Sequence, residues 1–262
     1  MNQGQKIAFA TAFGIATHLI FAFSVVIMVI GLYSGLGSGL GHLHGWQAFL
    51  ADALLIVQFP ILHSYFLTKS GRKLLAGFVP GGVGADLSTT TFALIGALQL
   101  LAAFGLWSPS GITFFQATGW AYWLFMALYL ASWVFLIKAL TDAGLGLQTG
   151  FMGWSSVARG KKPEFKGFPT HGLFRITRHP VYLGFALVMW TSPNITLDGV
   201  LLAGVWTAYC LIGPKLKESR YRAWYGEKYA QYAANTPYFI PGIRTKTMQQ
   251  LAVFTRSLRN HV

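Results

Sequence analysis

Apolar residues in this sequence form long uninterrupted runs, and these runs predict membrane helices. They cover about 7–33, 47–67, 91–107, 117–140 and 181–213. The first four are close to the roughly 20 residues that a helix needs to cross the hydrocarbon of a bilayer. The fifth is too long for one crossing and contains a turn-forming cluster at 191–194, so it predicts a helical hairpin. We expect an all-α, polytopic membrane protein with about six membrane helices, the last two forming a hairpin whose short first arm begins at Pro180.

The composition leads to the same class of protein. Hydrophobic residues make up 54% of the 262 residues and charged residues 10%, whereas charged residues are about a quarter of an ordinary soluble domain. A domain of this size cannot hide so much apolar surface, because many residues of a small protein touch its outside. An ordinary soluble protein is therefore excluded.

The basic residues indicate how the chain is oriented in the membrane. There are 20 Lys and Arg against 7 Asp and Glu, but the connections at 34–46, 108–116 and 191–197 contain no Lys or Arg. All the basic residues therefore fall on one side, which is the cytoplasmic side by the positive-inside rule. We expect a protein of the cytoplasmic (inner) membrane with both termini in the cytoplasm. Its positive charge would attract anionic membrane lipids, and no nucleic-acid partner is expected.

The order of apolar and basic segments predicts three regions. Residues 1–140 form an N-terminal region of four membrane helices, and the Gly-rich stretch at 35–41 within it is expected to be a flexible outer loop. Residues 141–240 contain a cytoplasmic loop, the hairpin and an amphipathic helix from Lys215 to about Asn235. Residues 241–262 form a basic tail with a second amphipathic pattern. The single cysteine, Cys210, excludes an internal disulfide and a multi-cysteine metal cluster, and we expect no metal site.

The start of the hairpin carries the most informative chemistry. Pro180 suits the first turn of a helix, where its missing N–H costs nothing. The nearby backbone amides and Arg178 would form a positive pocket at the membrane surface, suited to a carboxylate or a phosphate, and His179 is directed back toward the loop. From the residues alone, a basic helix start that is only anchored among lipid headgroups is an equal alternative.

The motif resembles a known family of membrane enzymes. Its parts are Arg178-His179-Pro180-x-Tyr182-x-Gly184, then Glu218, then Tyr225-Gly226-Glu227-x-Tyr229-x-x-Tyr232. Together they are similar to the C-terminal core of the isoprenylcysteine carboxyl methyltransferase superfamily, over about residues 165–240. Members are membrane enzymes that use S-adenosylmethionine. One departure is Lys217, which stands where the superfamily commonly has the first of two adjacent acids.

A narrower resemblance reaches further upstream. It rests on His63-Ser64, Phe78-Val79-Pro80, Phe168-Pro169-Thr170-x-Gly172-Leu173-x-Arg175 and Trp190-Thr191-Ser192-Pro193. These segments are similar to the bacterial methanethiol S-methyltransferases, which convert methanethiol to dimethyl sulfide, and to their NnrU-like relatives. The resemblance implies a methyltransferase that acts on a small thiol.

The resemblance also implies how S-adenosylmethionine is held. Arg178 and the amides near His179 would bind its carboxylate, and Glu218 would accept hydrogen bonds from its ribose hydroxyls or amino group. Tyr182 and Tyr229 would offer aromatic faces to the adenine or the sulfonium, although interfacial anchoring explains either tyrosine equally well. The remaining cofactor positions implied by the motif are Leu173, Arg175, Pro180 and Gly184.

Methyl transfer to a thiol calls for a base, because thiols of the cysteine type titrate near 8.5. The candidates are His63, near the inner end of the second apolar run, and Asp142, just beyond the fourth. An ionisable residue at membrane depth suggests function by default. Both are expected near the cytoplasmic depth at which the cofactor would bind.

Other functions stay open at this point. The acceptor is a small thiol, most simply methanethiol, or a lipophilic molecule such as an isoprenylcysteine carboxylate or a phospholipid amine. Sterol reductases share a similar helical core but use NADPH, and a non-enzymatic membrane protein is a further alternative. No feature of the sequence determines the oligomeric state.

Overall fold

The computed structural model describes residues 1–242, and helices dominate it. The helices are α1 (Gln3–Tyr33), α2 (Gly45–Phe66), α3 (Lys69–Gly77), α4 (Ser88–Gly105), α5 (Gly119–Asp142), α6 (Leu145–Gln148), α7 (Phe151–Ala158), α8 (Pro180–Trp190) and α9 (Leu197–Asn235). A 3-10 turn covers Gly172–Arg175, and two short strands are β1 (Thr113–Gln116) and β2 (Asn194–Thr196). The second amphipathic pattern, at the end of the chain, lies outside the described residues.

Five of these helices are long and apolar enough to cross a membrane, namely α1, α2, α4, α5 and α9. The short α8 is apolar but has only 11 residues, as expected for the first arm of the hairpin. Large apolar side chains point outward along the spans, with Leu19 67% and Trp123 71% exposed. Such a surface needs lipid around it. The expected all-α, polytopic membrane fold is confirmed.

Close helix contacts form the core of the bundle. Gly31 of α1 lies against the ring of Phe104 of α4, where an added Cβ would come within 2.6 Å of Cδ1. Gly184 of α8 lies against Leu136 of α5 in the same way, with the Leu136 Cα at 3.0 Å from an added Cβ. Small residues let membrane helices approach closely, because dispersion contacts replace the hydrophobic driving force in lipid. The indole of Trp206 in α9 donates to a carbonyl of α2 at 2.9 Å.

The outer connections pack on one another. Strands β1 and β2 pair antiparallel, with Thr113 opposite Thr196 and Gln116 opposite Asn194. The Gly-rich stretch at 35–41, expected to be a flexible loop, is bonded instead: the amide of Leu40 donates to the carbonyl of Gly105 at 2.9 Å, and Leu36 is only 1% exposed. Backbone groups away from water need partners, and here the loops supply them to each other.

The amphipathic helix expected from Lys215 is not a separate element. It continues α9 across Pro214, so the same helix runs from the outer end into the inner region and stays helical as far as Gly226. The only non-helical residue inside it is Gly226, with φ +51° and ψ −127°, where the helix is kinked. Glycine adopts this left-handed backbone at little steric cost. The second arm of the membrane hairpin and Tyr221 and Tyr225 are therefore on one continuous helix, and the kink separates them from Tyr229 and Tyr232.

Candidate functional site

The first turn of α8 is held in place by the last described segment of the chain. His179 is the N-cap of α8 and Pro180 is its first residue. The amide of Arg178 donates to the carbonyl of Pro237 at 2.9 Å, and the Thr177 hydroxyl donates to the carbonyl of Phe239 at 2.8 Å. These bonds hold the Arg178-His179-Pro180 motif against residues 236–239.

Glu218 of α9 joins the two halves of the motif in one buried hub. Its Oε1 lies 2.9 Å from His179 Nε2 and 3.0 Å from Arg178 Nε, although the latter pair is not aligned as a hydrogen bond. Its Oε2 lies 3.5 Å from Nη2 of Arg222. Arg178 also donates from Nη1 to the carbonyl of Ala233 at 2.6 Å. Glu218 is 8%, Arg178 6% and His179 2% exposed, so this is a charged network inside the protein.

The hub determines the tautomer of His179. Burial lowers the pKa of the His179 ring to about 4, although the hydrogen bond to Glu218 opposes this, so the ring is neutral near pH 7. A carboxylate only accepts hydrogen bonds, so Nε2 carries the proton and Nδ1 is an acceptor. Within residues 1–242, Nδ1 is buried and has no hydrogen-bond partner. A buried acceptor without a donor is costly and suggests a ligand that completes it.

Two tyrosine rings flank His179. Tyr182 of α8 meets the ring edge-on at 6.0 Å between centroids, and Tyr238 meets it at 4.9 Å. The Arg178 guanidinium lies over the Tyr238 ring at 5.3 Å. Burial raises the pKa of Tyr238 to about 12, so its hydroxyl is protonated and donates to the carbonyl of Leu211 at 2.7 Å.

A second group of rings lies along the inner part of α9. The ring of Phe168, from the loop before the 3-10 turn, is surrounded by four tyrosines at centroid distances of 4.9 to 5.8 Å. They are Tyr221, Tyr225, Tyr229 and Tyr232. Tyr232 also donates to the carbonyl of Phe174 at 2.7 Å. We call these five side chains the ring cluster. Aromatic faces of this kind attract planar bases and cations.

Asp142 holds the 3-10 turn. It accepts the amide of Leu173 at 2.8 Å, and it pairs with Lys138 one turn back on α5. Gly172 has φ +56°, and an added Cβ would collide with the Asp142 carboxylate. Both observations place Asp142 in a structural contact with the loop that carries Phe168.

His63 lies on α2, with Phe59 at 5.0 Å and Phe92 at 4.5 Å between ring centroids. Its Nδ1 is buried and has no hydrogen-bond partner within the described part of the chain. The neighbouring Ser64 donates to the Tyr209 hydroxyl at 3.4 Å. Tyr209 in turn lies 6.3 Å from the Tyr182 ring, so a path of polar and aromatic groups connects this end of α2 with α8.

Lys217 precedes the hub on α9 and points into the same region. Its Nζ lies 6.0 Å from the ring centre of Phe174 and 5.4 Å from that of Tyr221. Among residues 1–242, no carboxylate lies within 4.0 Å of this ammonium. The side chain is half-buried, so its charge is partly withdrawn from water.

The structure brings together Arg178, His179, Tyr182, Glu218 and Tyr229 out of the residues expected to bind the cofactor. Pro180 and Leu173 support them through the backbone. Arg175 is exposed and Gly184 packs against α5, so neither is part of the hub.

Several residues at the site were not among the expected cofactor residues and bases: Phe168, Arg222, Tyr238 and three tyrosines of the ring cluster. The spacing of four tyrosines at 221, 225, 229 and 232 is a helical signal for one shared face, and it could have indicated the ring cluster. Phe168 begins a motif of the narrower resemblance, but no local pattern predicts that Phe168 or Tyr238 contacts the site, because each reaches it from a loop.

Comparison with known proteins identifies several named relatives. A methanethiol S-methyltransferase from Pseudomonas deceptionensis is 30% identical over 82% of this chain and 80% of its own length. One from Mycobacterium tuberculosis is 28% identical over 74% of this chain and 79% of its own. Nurim from Mus musculus is 28% identical over 63% of this chain and 69% of its own. No solved structure gives a significant match.

The sequence model of the NnrU protein family matches residues 49–254. That range includes α8, α9 and the Arg178–His179–Glu218 hub that joins them. This integral membrane protein therefore belongs to the NnrU family.

Proposed function

We propose that this protein is a membrane methyltransferase that uses S-adenosylmethionine to methylate methanethiol, releasing dimethyl sulfide. The observation that carries the proposal is the buried hub of Glu218, Arg178 and His179 beside the ring cluster. The names of the relatives supply the acceptor, since several are methanethiol S-methyltransferases.

The described residues fit S-adenosylmethionine. When bound, this cofactor supplies an electrophilic methyl group on a sulfonium. The unpartnered Nδ1 of His179 would accept a hydrogen bond from its amino group or a ribose hydroxyl. Arg178 would face its carboxylate with Nη2, since Nη1 is bonded to Ala233 and Nε lies at Glu218. The amides in the first turn of α8, which have no intrahelical acceptor, favour the same anionic group.

The other expected cofactor residues would act around this pocket. Glu218 orients His179 and Arg178 and would offer Oε2 to a hydroxyl or the amino group. Tyr182 and Tyr229 would provide aromatic faces near the sulfonium and the adenine. Arg175 would attract the anionic end of the cofactor from the surface, and Pro180, Gly184 and Leu173 would keep α8 and the turn in position.

The two candidate bases differ in the hydrogen bonds and ion pairs that they already form. Asp142 is bonded to Leu173 and paired with Lys138, whereas His63 keeps Nδ1 without a partner among the described residues. We therefore place His63 before Asp142 as the proton acceptor. A His63→Gln variant should lower turnover and change its pH dependence, and Asp142→Asn should mainly lower stability. Unaltered turnover and pH dependence in His63→Gln would exclude this role.

The proposed location is the cytoplasmic membrane, with both termini at the cytoplasmic end. The basic residues and the hub lie at the end of the bundle opposite to the β1–β2 pair, which supports this orientation. The cofactor would enter from the cytosol, and the small apolar thiol would arrive through the lipid. The expected contacts are with membrane lipids and substrates, not with nucleic acid.

The direct test is to give purified protein labelled S-adenosylmethionine and methanethiol and to measure labelled dimethyl sulfide in the headspace. Thermal stabilisation by S-adenosylmethionine but not by NADPH should accompany it, because a ligand that binds only the folded state raises its stability. Stabilisation by NADPH alone would favour a reductase instead, and stabilisation by neither would exclude the proposed cofactor.

Phe168→Ala sharpens the test of the ring cluster. Loss of the central ring should weaken cofactor binding by about 0.5–1.5 kcal/mol, the usual size of an aromatic pair. Phe165→Ala is the matched control, because Phe165 lies on the same loop but is 64% exposed. Equal dissociation constants for the two variants would remove the ring cluster from the cofactor site.

A further inference from the structure

Lys217 is a cation without an anionic partner inside the proposed site. Its Nζ lies over the rings of Tyr221 and Phe174 at 5.4 and 6.0 Å. The adjacent carboxylate, Glu218, faces away to His179, Arg178 and Arg222. A half-buried charge of this kind is costly unless something compensates for it.

The surroundings of Lys217 make an anion the natural complement. The other charged group beside it on α9 is Arg220, which is half-buried and has no carboxylate within 4.0 Å in the described region. Across from the helix lie the neutral His179 and the aromatic rings. Apart from Glu218, which the hub already uses, no negative group of residues 1–242 faces this position. An anionic ligand would therefore gain both a counter-charge and apolar walls.

We propose that the Lys217 ammonium binds the methyl acceptor as its thiolate, and that this charge selects anionic acceptors over amines. The inference rests on the proposed function and names the acceptor side of the same site. A phospholipid amine is protonated near neutral pH, so Lys217 would repel it. A thiolate is attracted, and its apolar methyl group suits the rings.

The chemistry balances with this role. The S–H bond of the thiol breaks, its proton passes to the proposed base His63 and from there to water, and the electron pair stays on sulfur beside the ammonium. The thiolate sulfur would then form a bond to the methyl carbon of S-adenosylmethionine. The electron pair of the broken carbon–sulfur bond would stay on the sulfonium sulfur, which becomes a neutral thioether. Lys217 keeps its proton throughout, because its part is to hold the anion in position and lower the cost of forming it.

The first arm of the test measures binding without methyl transfer. Methanethiol is titrated into the full-length protein by calorimetry, with and without S-adenosylhomocysteine, in buffers of different ionisation enthalpy. At pH 7.5 a free thiol is mostly protonated, so binding as the thiolate should release about one proton. Lys217→Met should lose this release, and Lys217→Arg should keep it. Binding to the wild type without proton release would overturn the proposal, as would an absence of thiol binding.

The second arm measures transfer as a function of pH. In Lys217→Met, kcat/KM for methanethiol should fall about 100-fold near pH 7.5, and its rise with pH should shift toward the titration of the free thiol. Lys217→Arg should restore most of the activity. The matched control is Lys215→Met, an exposed lysine two residues earlier that should behave as wild type.

The readouts separate this inference from the proposed function. The dissociation constant for S-adenosylhomocysteine should be unchanged in Lys217→Met. If it rises as much as kcat/KM falls, Lys217 belongs to the cofactor pocket and the inference is wrong. An unshifted pH profile would also contradict it. If the wild type fails to bind S-adenosylhomocysteine, the proposed function fails, and proton release on thiol binding still decides the role of Lys217.

Discussion

The outer end of the bundle and the hub at its inner end satisfy their buried carboxylates in different ways. At the outer end, Asp52 accepts the amide of Ser108 at 3.1 Å, and Asp198 accepts the amide and hydroxyl of Ser110 at 2.9 and 2.8 Å. At the inner end, Asp142 likewise accepts a loop amide. In the hub, however, Glu218 takes all of its close partners in the described structure from side chains. These partners are His179, Arg178 and Arg222.

This difference indicates that the outer end has a structural role and that the hub is suited to binding a ligand. A hydrogen bond between a loop amide and a carboxylate breaks only when the backbone of the loop moves. The loops at the outer end are therefore held in place over the helix ends. Side chains can turn toward a ligand without unfolding a loop, and a buried polar network that is incomplete favours whatever completes it. The unpartnered Nδ1 of His179 is at the inner end, and the cofactor is proposed to bind there.

The largest effect should come from Glu218→Gln. The buried Arg178 then loses its main counter-charge, and removal of one partner from a buried ion pair costs about 3–5 kcal/mol. We expect a lower melting temperature in detergent and a loss of S-adenosylmethionine binding by calorimetry. If the variant has the melting temperature and the S-adenosylmethionine affinity of the wild type, the hub has no special role in stability or in binding.

The next effect is a loss of stability in acid that depends on His179. Burial lowers the pKa of His179 to about 4, against an ordinary value near 6.5. Between about pH 6.5 and pH 4 the unfolded chain therefore binds a proton that the folded protein does not. As the pH falls from about 6.5 to about 4, the free energy of unfolding should decrease by up to about 3 kcal/mol. Above about pH 6.5 His179 should have no effect on the pH dependence of stability.

The measurement compares unfolding of the wild type and His179→Gln at pH 7.5, 5.5 and 4.5. The advantage of the wild type should shrink as the pH falls. The groups that face the ring are Glu218, Arg178, Lys217, Tyr182 and Tyr238. A constant difference between the two proteins would contradict a buried neutral imidazole.

Asp198→Ala tests the other side of the comparison. It leaves the amide and hydroxyl of Ser110 without their acceptor, which should lower the free energy of unfolding by about 1–3 kcal/mol. Chemical unfolding measures the loss. The dissociation constant for S-adenosylmethionine should stay within about twofold of the wild type, because the change is at the far end of the bundle. Strongly weakened cofactor binding would show that the outer end is part of the site.

The smallest effect is expected from Gly172→Ala. An alanine at φ +56° is strained by about 1–2 kcal/mol, and its Cβ would push the Asp142 carboxylate away from the Leu173 amide. Thermal unfolding should show this loss. Gly204→Ala in α9 is the control, because nothing lies within 4 Å of an added Cβ there. Equal melting temperatures would mean that the turn is not held by Asp142.

The membrane helices could be predicted from the sequence because the bilayer imposes a length on each apolar run. The bounds of α1, α2, α4 and α5 follow the predicted runs within a few residues. The β1–β2 pair could not be predicted this way. Its strands are 3 and 4 residues long, and their pairing depends on two loops about 80 residues apart.

The site shows the same limit. The resemblance placed Arg178, His179 and Glu218 together, and the structure confirms that they touch. Local sequence patterns do not predict that the Phe168 ring packs among the four tyrosines or that the Tyr238 ring packs against His179. Such contacts form only when distant segments pack together. The assignment of each residue to the cofactor or the base stays a prediction.

The bonds from Thr177 and Arg178 to residues 237–239 have a consequence for biosynthesis. The ribosome makes all the membrane helices before these last partners emerge, so the bundle can insert while the motif is still uncovered. The covering of the motif is then a late event that follows insertion. A chain that stalls or is cut before residue 237 would sit in the bilayer with the Arg178-His179-Pro180 motif still uncovered.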